Sequence, residues 1–460
     1  MLHNFDAIVI GAGQSGPSLA ARFAQAGHRV ALIEREHLGG TCVNDGCIPT
    51  KTLVASARVA HVARHAAAFG IETGGSAVRV DMKAVKARKD AVVKQSVDGL
   101  TTWLEGLAGL TLVRGDARFV GPNRVRVGDD EYDAPKIFIN VGGRATVPEW
   151  PGIDGVPHLT NTSMMDIDLL PEHLVIVGGS YIGLEFAQMY RRFGAQVTVI
   201  EASPRLIARE DPEVSAEVRA ILERDGIVVH VGAKDLAMAR DGAGARVDFT
   251  SEQGAQAVTG SHLLLAVGRR PNTDTLGLDA AGVNVDARGF VTVDDELRTS
   301  APGVWALGDV NGRGAFTHTS YNDFEIVAAN LLDGGTRRVS DRIGTYGLFI
   351  DPPLGRIGMS EVEVRASGRQ ALVAMMPMTR VGRARERGET DGFMKVLVDA
   401  QTDRILGAAL LGIEADEVVQ LLLLAMAADL PYTRIQQTMW IHPTVTELLP
   451  TLFAALKRLT

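Results

Sequence analysis

The sequence predicts an α/β protein built on two copies of one strand–turn–helix–strand unit. Two observations support this class. An apolar strand pattern is followed at once by a glycine-rich turn in each copy, and a helical pattern then leads to a second strand. The units begin at Asp6 and His173, and the chain of 460 residues is long enough for about three domains, so a third domain is expected.

The first unit starts with an apolar strand over 6–10 and a turn that carries Gly11, Gly13 and Gly16. A helical stretch follows, and the second strand ends at Glu34. Glycines at this spacing let the backbone approach a pyrophosphate, whose charge is stabilised by the N-terminus of the following helix. A carboxylate at the end of the second strand can accept a hydrogen bond from a ribose hydroxyl. The unit therefore predicts a dinucleotide site.

The second unit has a strand over 173–177, glycines at Gly178 and Gly183, and a second strand that ends at Glu201. The interval from the first glycine to the terminal glutamate is 23 residues in each unit. Ser180 stands where the second glycine of the motif usually lies, which is a departure confined to this copy. We expect a second dinucleotide site here.

Composition and charge argue against several other classes of function. The chain has 47 basic and 55 acidic residues, a net charge of −8, so no global basic field attracts nucleic acid or anionic lipid. The longest apolar helical stretch is 418–430. It is too short to span a bilayer, which takes about 20 apolar residues. The N-terminal residues lack a basic region followed by an uninterrupted apolar core. We expect a cytoplasmic protein without nucleic-acid or membrane partners.

Cys42 and Cys47 are the two cysteines of the chain, too few for a disulfide-rich secreted fold. On a regular helix their Cα atoms would be roughly 8 to 9 Å apart, beyond the disulfide range of about 4.4 to 6.8 Å. A disulfide therefore needs a distorted turn, which Gly46 can supply, ahead of a helix from about Ile48 whose first turn contains Pro49. The N-terminus of that helix would stabilise a thiolate. Two reduced buried cysteines and a zinc site are the alternatives, although no paired histidines complete a zinc ligand set.

These motifs together resemble the class I pyridine-nucleotide disulfide oxidoreductases, and the similarity runs along the whole chain. That family includes glutathione reductase, dihydrolipoamide dehydrogenase and mercuric reductase. The chain is most similar to the mercuric-reductase-like group that includes the reactive-chlorine-resistance flavoprotein, a copper(II) reductase. Besides the two glycine turns, the similarity depends on the segments 40–51, 140–143, 268–272, 305–309, 351–361 and 441–447.

The resemblance implies two Rossmann-like dinucleotide-binding domains, one for FAD and one for NAD(P), and an α+β C-terminal dimerisation domain. The FAD-binding domain would comprise 1–145 and 273–338, the NAD(P)-binding domain 146–272, and the dimerisation domain 339–460. The implied cofactors are FAD and either NADH or NADPH, and the implied assembly is a homodimer. No resident metal is implied.

The resemblance also implies that Cys42 and Cys47 form a redox-active disulfide, which electrons from the flavin convert to a dithiol. Cys47 would then be the thiolate beside the flavin, and Cys42 the thiol that attacks the substrate. Lys51 and Glu185 match an ion pair beside the flavin, where a positive charge favours the reduced, anionic cofactor.

His442, oriented by Glu447, is the expected general acid and base, because imidazole titrates near neutral pH. The resemblance implies that it comes from the partner subunit, so that each active site is composite. Tyr181 matches an aromatic gate over the flavin that the nicotinamide displaces. The expected cofactor contacts are Gly11, Gly13, Gly16, Glu34, Gly40, Thr41, Lys51, Gly142, Gly308, Asp309, Gly178, Tyr181, Ile182, Gly183, Glu201 and Gly268.

Three hypotheses about the function remain open, two of which differ in the electron acceptor. The first is a small disulfide or oxidised thiol, and the second is a metal ion, Cu(II) or Hg(II), or a quinone. The third is a flavin-bearing redox sensor with little turnover, which has no need of the acid–base pair His442 and Glu447. Activity like that of dihydrolipoamide dehydrogenase is a further possibility. The C-terminal cysteine pair of mercuric reductases has no counterpart here, so classical mercury detoxification is not expected.

The choice of pyridine nucleotide depends on the adenosine ribose site. Glu201 accepts a hydrogen bond from a free 2′-hydroxyl and repels a 2′-phosphate, so NADH is expected to be slightly preferred. Arg205 and Arg209 follow within eight residues and offer positive charge to a phosphate, which is the opposing consideration.

Overall fold

The computed structural model describes residues 1–73 and 78–459. Residues 74–77 and Thr460, which the expected FAD-binding and dimerisation domains include, lie outside the described residues. The N-terminal elements are β1 (Leu2–Asn4), β2 (Ala7–Ile10), α1 (Gly16–Gln25), β3 (Val30–Glu34), α2 (Gly40–Asn44), α3 (Cys47–Arg64), α4 (Met82–Glu105), β4 (Leu110–Arg114), β5 (Ala117–Gly121), β6 (Arg124–Val127), β7 (Asp130–Asp133), β8 (Ile137–Ile139) and β9 (Gly143–Ala145).

The middle of the chain contains the second glycine unit and a meander of strands. Its elements are α5 (Asn161–Met164), β10 (His173–Val177), α6 (Tyr181–Phe193), β11 (Gln196–Ile200), α7 (Pro212–Arg224), β12 (Val228–His230), β13 (Lys234–Asp241), β14 (Gly244–Ser251), β15 (Gly254–Gly260), β16 (His262–Leu265) and β17 (Arg269–Pro271).

The remainder of the chain returns to the first sheet and then forms a separate antiparallel sheet. Its elements are α8 (Leu278–Ala281), β18 (Val304–Ala306), α9 (Thr317–Leu332), β19 (Thr345–Leu348), β20 (Leu354–Gly358), α10 (Glu361–Ala366), β21 (Ala371–Pro377), α11 (Gly382–Glu386), β22 (Phe393–Asp399), β23 (Ile405–Leu411), α12 (Ala415–Ala427), α13 (Tyr432–Gln437), α14 (Leu449–Ala454) and β24 (Lys457–Arg458).

Both predicted glycine units are present and lie in parallel sheets. The first sheet has the order β18-β8-β2-β3-β4, and the second has the order β12-β11-β10-β16. The core strands β2, β3 and β8 are buried along their full length, as expected for parallel strands covered on both faces. In each unit the first glycine follows the carboxyl end of its strand, so the glycine turn and the terminal glutamate meet at one sheet edge.

Smaller sheets surround these two. A sheet in the order β1-β7-β6-β5 flanks the first parallel sheet, and the antiparallel sheet β13-β14-β15 flanks the second. The pair β9 and β17 joins the two regions at the points where the chain leaves the first sheet and returns to it.

The C-terminal region forms a six-stranded antiparallel sheet in the order β19-β20-β23-β22-β21-β24. Helix α12 packs on this sheet and buries Val419 and Leu422 in its core. Within the described residues, no helix combines the length and the apolar character that crossing a membrane requires.

Candidate active site

The two cysteines lie on successive helices that a glycine separates. Cys42 is in α2, Cys47 is the first residue of α3, and Gly46 between them has φ −128° and ψ −114°. A Cβ on Gly46 would lie 2.7 Å from the carbonyl oxygen of Thr41, so a larger residue does not fit there without displacing the backbone. The expected distorted turn ahead of a helix is therefore confirmed. Both cysteines are free thiols in this structure.

The two thiols have opposite electrostatic environments. The pKa of Cys47 is lowered to about 6, although burial alone would raise it. The causes are the hydrogen bond from Cys42, a second from Thr317 and the positive charge of Lys51. The same bond to Cys47 and burial raise the pKa of Cys42. Around neutral pH, Cys47 is therefore the thiolate of the pair and Cys42 the protonated thiol.

Thr317 is a contact that the sequence analysis missed. Its Oγ1 lies 3.0 Å from the Sγ of Cys47, although the two residues are 270 positions apart. Thr317 is the first residue of α9, so its hydroxyl is held at a helix N-terminus, which also favours a nearby negative charge. No local pattern marks this threonine, because its role depends on a packing contact between distant segments.

Lys51 and Glu185 form the expected ion pair, with 2.7 Å between Nζ and Oε2. Lys51 follows Cys47 by four residues on α3, so both side chains lie on one face of that helix. Glu185 is buried in α6, and its other oxygen accepts a hydrogen bond of 3.0 Å from the backbone N–H of Phe349. Because both oxygens of the Glu185 carboxylate are engaged, its orientation is fixed, and it holds the Lys51 ammonium near the Cys47 thiolate.

Tyr181 is held in a cluster of aromatic rings at the start of α6. Its ring meets Phe316 and Tyr346 edge to face, with centroid distances of 6.0 and 5.6 Å. Its hydroxyl donates to Oε1 of Glu210 at 3.2 Å. The sequence analysis missed these three partners.

One cavity of about 1050 Å³ joins the first glycine turn to the dithiol. Its volume lies at the upper end of the usual range for small-molecule sites, about 300 to 1,000 Å³. Of the predicted site residues, the cavity is lined by Gly11, Gly13, Glu34, Gly40, Thr41, Cys42, Cys47, Lys51, Gly142, Tyr181, Ile182, Glu185 and Asp309. The predicted residues that do not line it are Gly16, Gly178, Gly183, Glu201, Gly268, Gly308, His442 and Glu447.

The cavity fits FAD at the glycine turn. A Cβ on Gly16 would lie 2.1 Å from the carbonyl oxygen of Gly11, so packing of helix on strand requires glycine there. A Cβ on Gly13 would meet only atoms of Asn140, the nearest at 3.4 Å in its side-chain amide, which is ordinary van der Waals contact, so packing does not require glycine at this position. Gly13 instead leaves open the space at the N-terminus of α1 that a pyrophosphate would occupy.

The terminal glutamates of the two units make the same pair of hydrogen bonds. Glu34 accepts from the backbone N–H groups of Ala12 and Glu36 at 2.7 and 2.8 Å. Glu201 accepts the equivalent two bonds at 2.5 and 2.7 Å. Each carboxylate is thereby fixed at the sheet edge, and its remaining lone pairs are available for a ribose hydroxyl.

Asp309 and Arg269 both line the cavity and form an ion pair, with 3.7 Å between Oδ2 and Nε. Burial raises the pKa of Asp309, and the arginine opposes that effect. Arg269 was not among the predicted site residues, although it follows the predicted Gly268.

His442 and Glu447 form the expected pair but lie apart from the cysteines of their own chain. The Nδ1 of His442 is 2.9 Å from Oε2 of Glu447. The histidine side chain is 80% exposed and the glutamate side chain 16% exposed. The single chain therefore orients the imidazole toward its outer surface.

Two dinucleotide units that converge on a pair of unequal thiols define an oxidoreductase of the dithiol–disulfide class. The chain belongs to the pyridine nucleotide-disulphide oxidoreductase family, whose pattern matches residues 5–323. The pattern of that family's dimerisation domain matches residues 345–453, which supports a homodimer. The predicted family and the predicted α/β fold class are thus confirmed.

Similar proteins span nearly the full chain. The chain is 36% identical to the probable pyridine nucleotide-disulfide oxidoreductase RclA of Escherichia coli, over 99% of this chain and 100% of that protein. It is 35% identical to a mercuric reductase of Streptomyces lividans, over 96% of this chain and 94% of that protein. It is 34% identical to a dihydrolipoyl dehydrogenase of Thermus scotoductus, over 97% and 96%.

A solved structure is similar throughout. The copper(II) complex of the HOCl-induced flavoprotein disulfide reductase RclA from Escherichia coli has a TM-score of 0.89 and 36% identity, and the match covers 98% of this chain and 99% of that chain. The chain is accordingly an FAD-dependent enzyme that uses a pyridine nucleotide.

Proposed function

We propose that this enzyme reduces a small disulfide or oxidised thiol with electrons from NADH or NADPH, through FAD and the Cys42–Cys47 pair. The observation that carries the proposal is the unequal pair of thiols in one cavity with the FAD-type glycine turn. When bound, FAD supplies the two-electron redox chemistry that links hydride transfer from the pyridine nucleotide to reduction of the Cys42–Cys47 disulfide. One hydride and one proton are consumed for each disulfide, and two thiols are released.

Cys42, Cys47 and His442 have different roles in the reduction of the substrate disulfide. Cys42 must lose its proton before its sulfur attacks the substrate disulfide, because the thiolate is the nucleophile. The partner subunit's His442 takes that proton and returns it to the thiolate that leaves when the substrate S–S bond breaks. The Cys47 thiolate then attacks the sulfur of Cys42, which forms the Cys42–Cys47 disulfide and releases the second substrate sulfur as a thiolate. That thiolate takes up the one proton consumed from solvent and becomes the second thiol.

We also propose the domain boundaries expected from the sequence: 1–145 with 273–338 for FAD, 146–272 for NAD(P), and 339–460 for dimerisation. Sheet membership supports them. Strand β18 pairs with β8 of the first parallel sheet. The second parallel sheet contains β10, β11, β12 and β16, and the additional bridge from β16 goes to Leu159, which also lies within 146–272.

A metal ion is the second candidate acceptor. The observation that favours it is the likeness to RclA, whose structure is a Cu(II) complex, and to a mercuric reductase. Two Cu(II) ions would each take one electron from the dithiol, or one Hg(II) would take both. Neither reaction requires a proton to be delivered to the acceptor. The pairing of His442 with Glu447 therefore favours the disulfide as substrate.

The proposed function predicts the ranking of acceptors in anaerobic steady-state assays. We expect kcat/KM for small disulfides to exceed the values for Cu(II), Hg(II) and quinones, because only disulfide reduction uses the dithiol and the acid–base pair together. Cys42→Ser is the matched control and should abolish disulfide reduction while flavin reduction by NADH continues. A higher kcat/KM for Cu(II) or Hg(II) than for every disulfide tested would contradict the proposal.

We propose NADH as the preferred nucleotide, since the Glu201 carboxylate is fixed at the ribose position. Arg205 supports this choice, because its guanidinium donates hydrogen bonds to the carbonyl oxygens of Ala208 and Glu210 at 3.0 and 3.1 Å. Those bonds hold it within its own loop. Arg209 is exposed and remains the residue that could approach a 2′-phosphate.

We expect kcat/KM for NADH to exceed that for NADPH by about 5- to 30-fold, which corresponds to about 1 to 2 kcal/mol of charge repulsion at a partly solvated site. Glu201→Gln removes the charge, keeps the shape and should move the ratio toward NADPH. Glu223→Gln, at an exposed carboxylate of α7, is the matched control and should leave the ratio unchanged. An NADPH preference in the unmodified enzyme would refute this prediction.

A further inference from the structure

Glu210 is a buried carboxylate with no part in the electron path. It is 1% exposed and lies in the loop between β11 and α7. Its Oε1 accepts hydrogen bonds from Tyr181 at 3.2 Å and from Tyr346 at 2.5 Å. Its Oε2 has no hydrogen-bond partner among the described residues. One carboxylate oxygen of Glu210 therefore accepts hydrogen bonds from two tyrosine hydroxyls, and the other accepts none from the described residues.

The two tyrosines come from different parts of the chain. Tyr181 begins α6 of the second glycine unit, and Tyr346 belongs to β19 of the C-terminal sheet. The ring of Tyr346 stacks on Phe316 with a centroid distance of 5.5 Å and an interplanar angle of 6°. Because the ring of Tyr181 meets both of these rings edge to face, it is held at its edge as well as at its hydroxyl.

Tyr181 lines the cavity together with Cys47, Lys51 and Glu185. We propose that Glu210 and Tyr346 form a latch that holds Tyr181 closed over the cavity and thereby sets the affinity for the pyridine nucleotide. The proposal rests on the proposed function and on the route expected from the family resemblance, in which the nicotinamide displaces Tyr181 to reach the flavin. Glu210 and Tyr346 are positioning residues in this scheme, since they act through the Tyr181 side chain.

The latch is expected to lower the affinity of the enzyme for the pyridine nucleotide, and the size of the effect depends on how often Tyr181 has moved aside. If the nucleotide binds only when Tyr181 has moved aside, the apparent Kd is the intrinsic Kd divided by the open fraction. A hydrogen bond to a carboxylate is stronger than one to a neutral acceptor. Weakening the bond between Tyr181 and Glu210 should therefore increase the open fraction and lower the Kd, by about three- to tenfold.

A double-mutant cycle measured by calorimetry tests the latch. The FAD-loaded dimer is titrated with NAD⁺, which gives an equilibrium Kd without turnover. We expect Tyr181→Phe and Glu210→Gln each to lower the Kd about three- to tenfold, and the double variant to match the single variants. If the two effects instead multiply, Glu210 does not act through the Tyr181 hydroxyl and the latch is refuted. Tyr190→Phe, at a buried tyrosine of the same helix, is the matched control and should leave the Kd unchanged.

A second variant covers the case in which Glu210→Gln does not fold, because the buried guanidinium of Arg356 interacts electrostatically with the Glu210 carboxylate. Tyr346→Phe keeps the stacked ring and removes the hydroxyl that fixes the Glu210 oxygen shared with Tyr181. We expect it to lower the Kd, and to lose that effect in the Tyr181→Phe background. An equal effect in both backgrounds would refute the latch.

Tyr181→Ala separates failure of the latch from failure of the proposed function. If this variant changes the Kd for NAD⁺ while Glu210→Gln and Tyr346→Phe do not, Tyr181 is on the nucleotide path and the latch alone is wrong. If Tyr181→Ala leaves both the Kd and the rate of flavin reduction by NADH unchanged, the nicotinamide does not pass Tyr181. The proposed route itself then fails.

Discussion

Cys47→Ser is expected to abolish the long-wavelength absorption band of the two-electron-reduced enzyme, and Cys42→Ser to show that band without any added reductant. The band requires a thiolate beside an oxidised flavin, and Cys47 is the thiol whose pKa the surrounding groups lower, to about 6. Cys42→Ser removes the disulfide partner and leaves Cys47 permanently reduced. Both variants should lose disulfide-reductase turnover, because each lacks one sulfur of the redox pair. Identical spectra for the two variants would contradict the assigned roles.

The pH dependence of the band tests the cause of this asymmetry. A lowered pKa means that the thiolate is present above about pH 6, so the band of the reduced enzyme should decrease as the pH falls through that value. Thr317→Val removes the hydroxyl 3.0 Å from the Cys47 sulfur and should raise the midpoint pH, by about one unit. Thr317→Ser keeps the hydroxyl and is the control. A midpoint that Thr317→Val does not move would exclude this hydrogen bond as a cause.

Mixed dimers of His442→Ala and Cys42→Ser chains are expected to recover activity that neither parent has. The His442→Ala parent should lose about 100- to 10,000-fold, as removal of a general acid–base group does, and the Cys42→Ser parent should lose its disulfide-reductase turnover altogether. The 80% exposed His442 lies outside its own chain's cavity, so we expect it to serve the partner's cysteines. A mixed dimer then keeps one intact site. Random assembly of equal amounts should restore about a quarter of the unmodified activity, since about half of the dimers are mixed.

The control for this experiment is a mixture of Cys42→Ser and Cys47→Ser chains. Both cysteines of a site come from one chain, so this mixture contains no intact site and should stay inactive. Formation of mixed dimers is verified in both cases by two different affinity tags. Absence of recovery in the first mixture would place His442 in its own subunit's site, or outside catalysis.

The sequence predicted most of the local structure because its signals are local. The strand over 173–177 has the predicted bounds, the first strand, expected over 6–10, agrees within one residue, and the second strand of that unit ends at Glu34 as expected. The break between the cysteines followed from the place of Gly46. The ion pair of Lys51 with Glu185 was expected from family resemblance alone, since 134 residues separate its members.

By itself, the sequence determined the two glycine units, the turn between Cys42 and Cys47 and the family. Periodicity, glycine spacing and helix starts act over a few residues, so a linear pattern is sufficient to read them. Only the tertiary structure decided which groups lower the pKa of the Cys47 thiol and which groups hold Tyr181. Hydrogen bonds and charge effects on pKa depend on distance in space, and folding brings Thr317 to Cys47 and Tyr346 to Glu210 from 270 and 136 residues away.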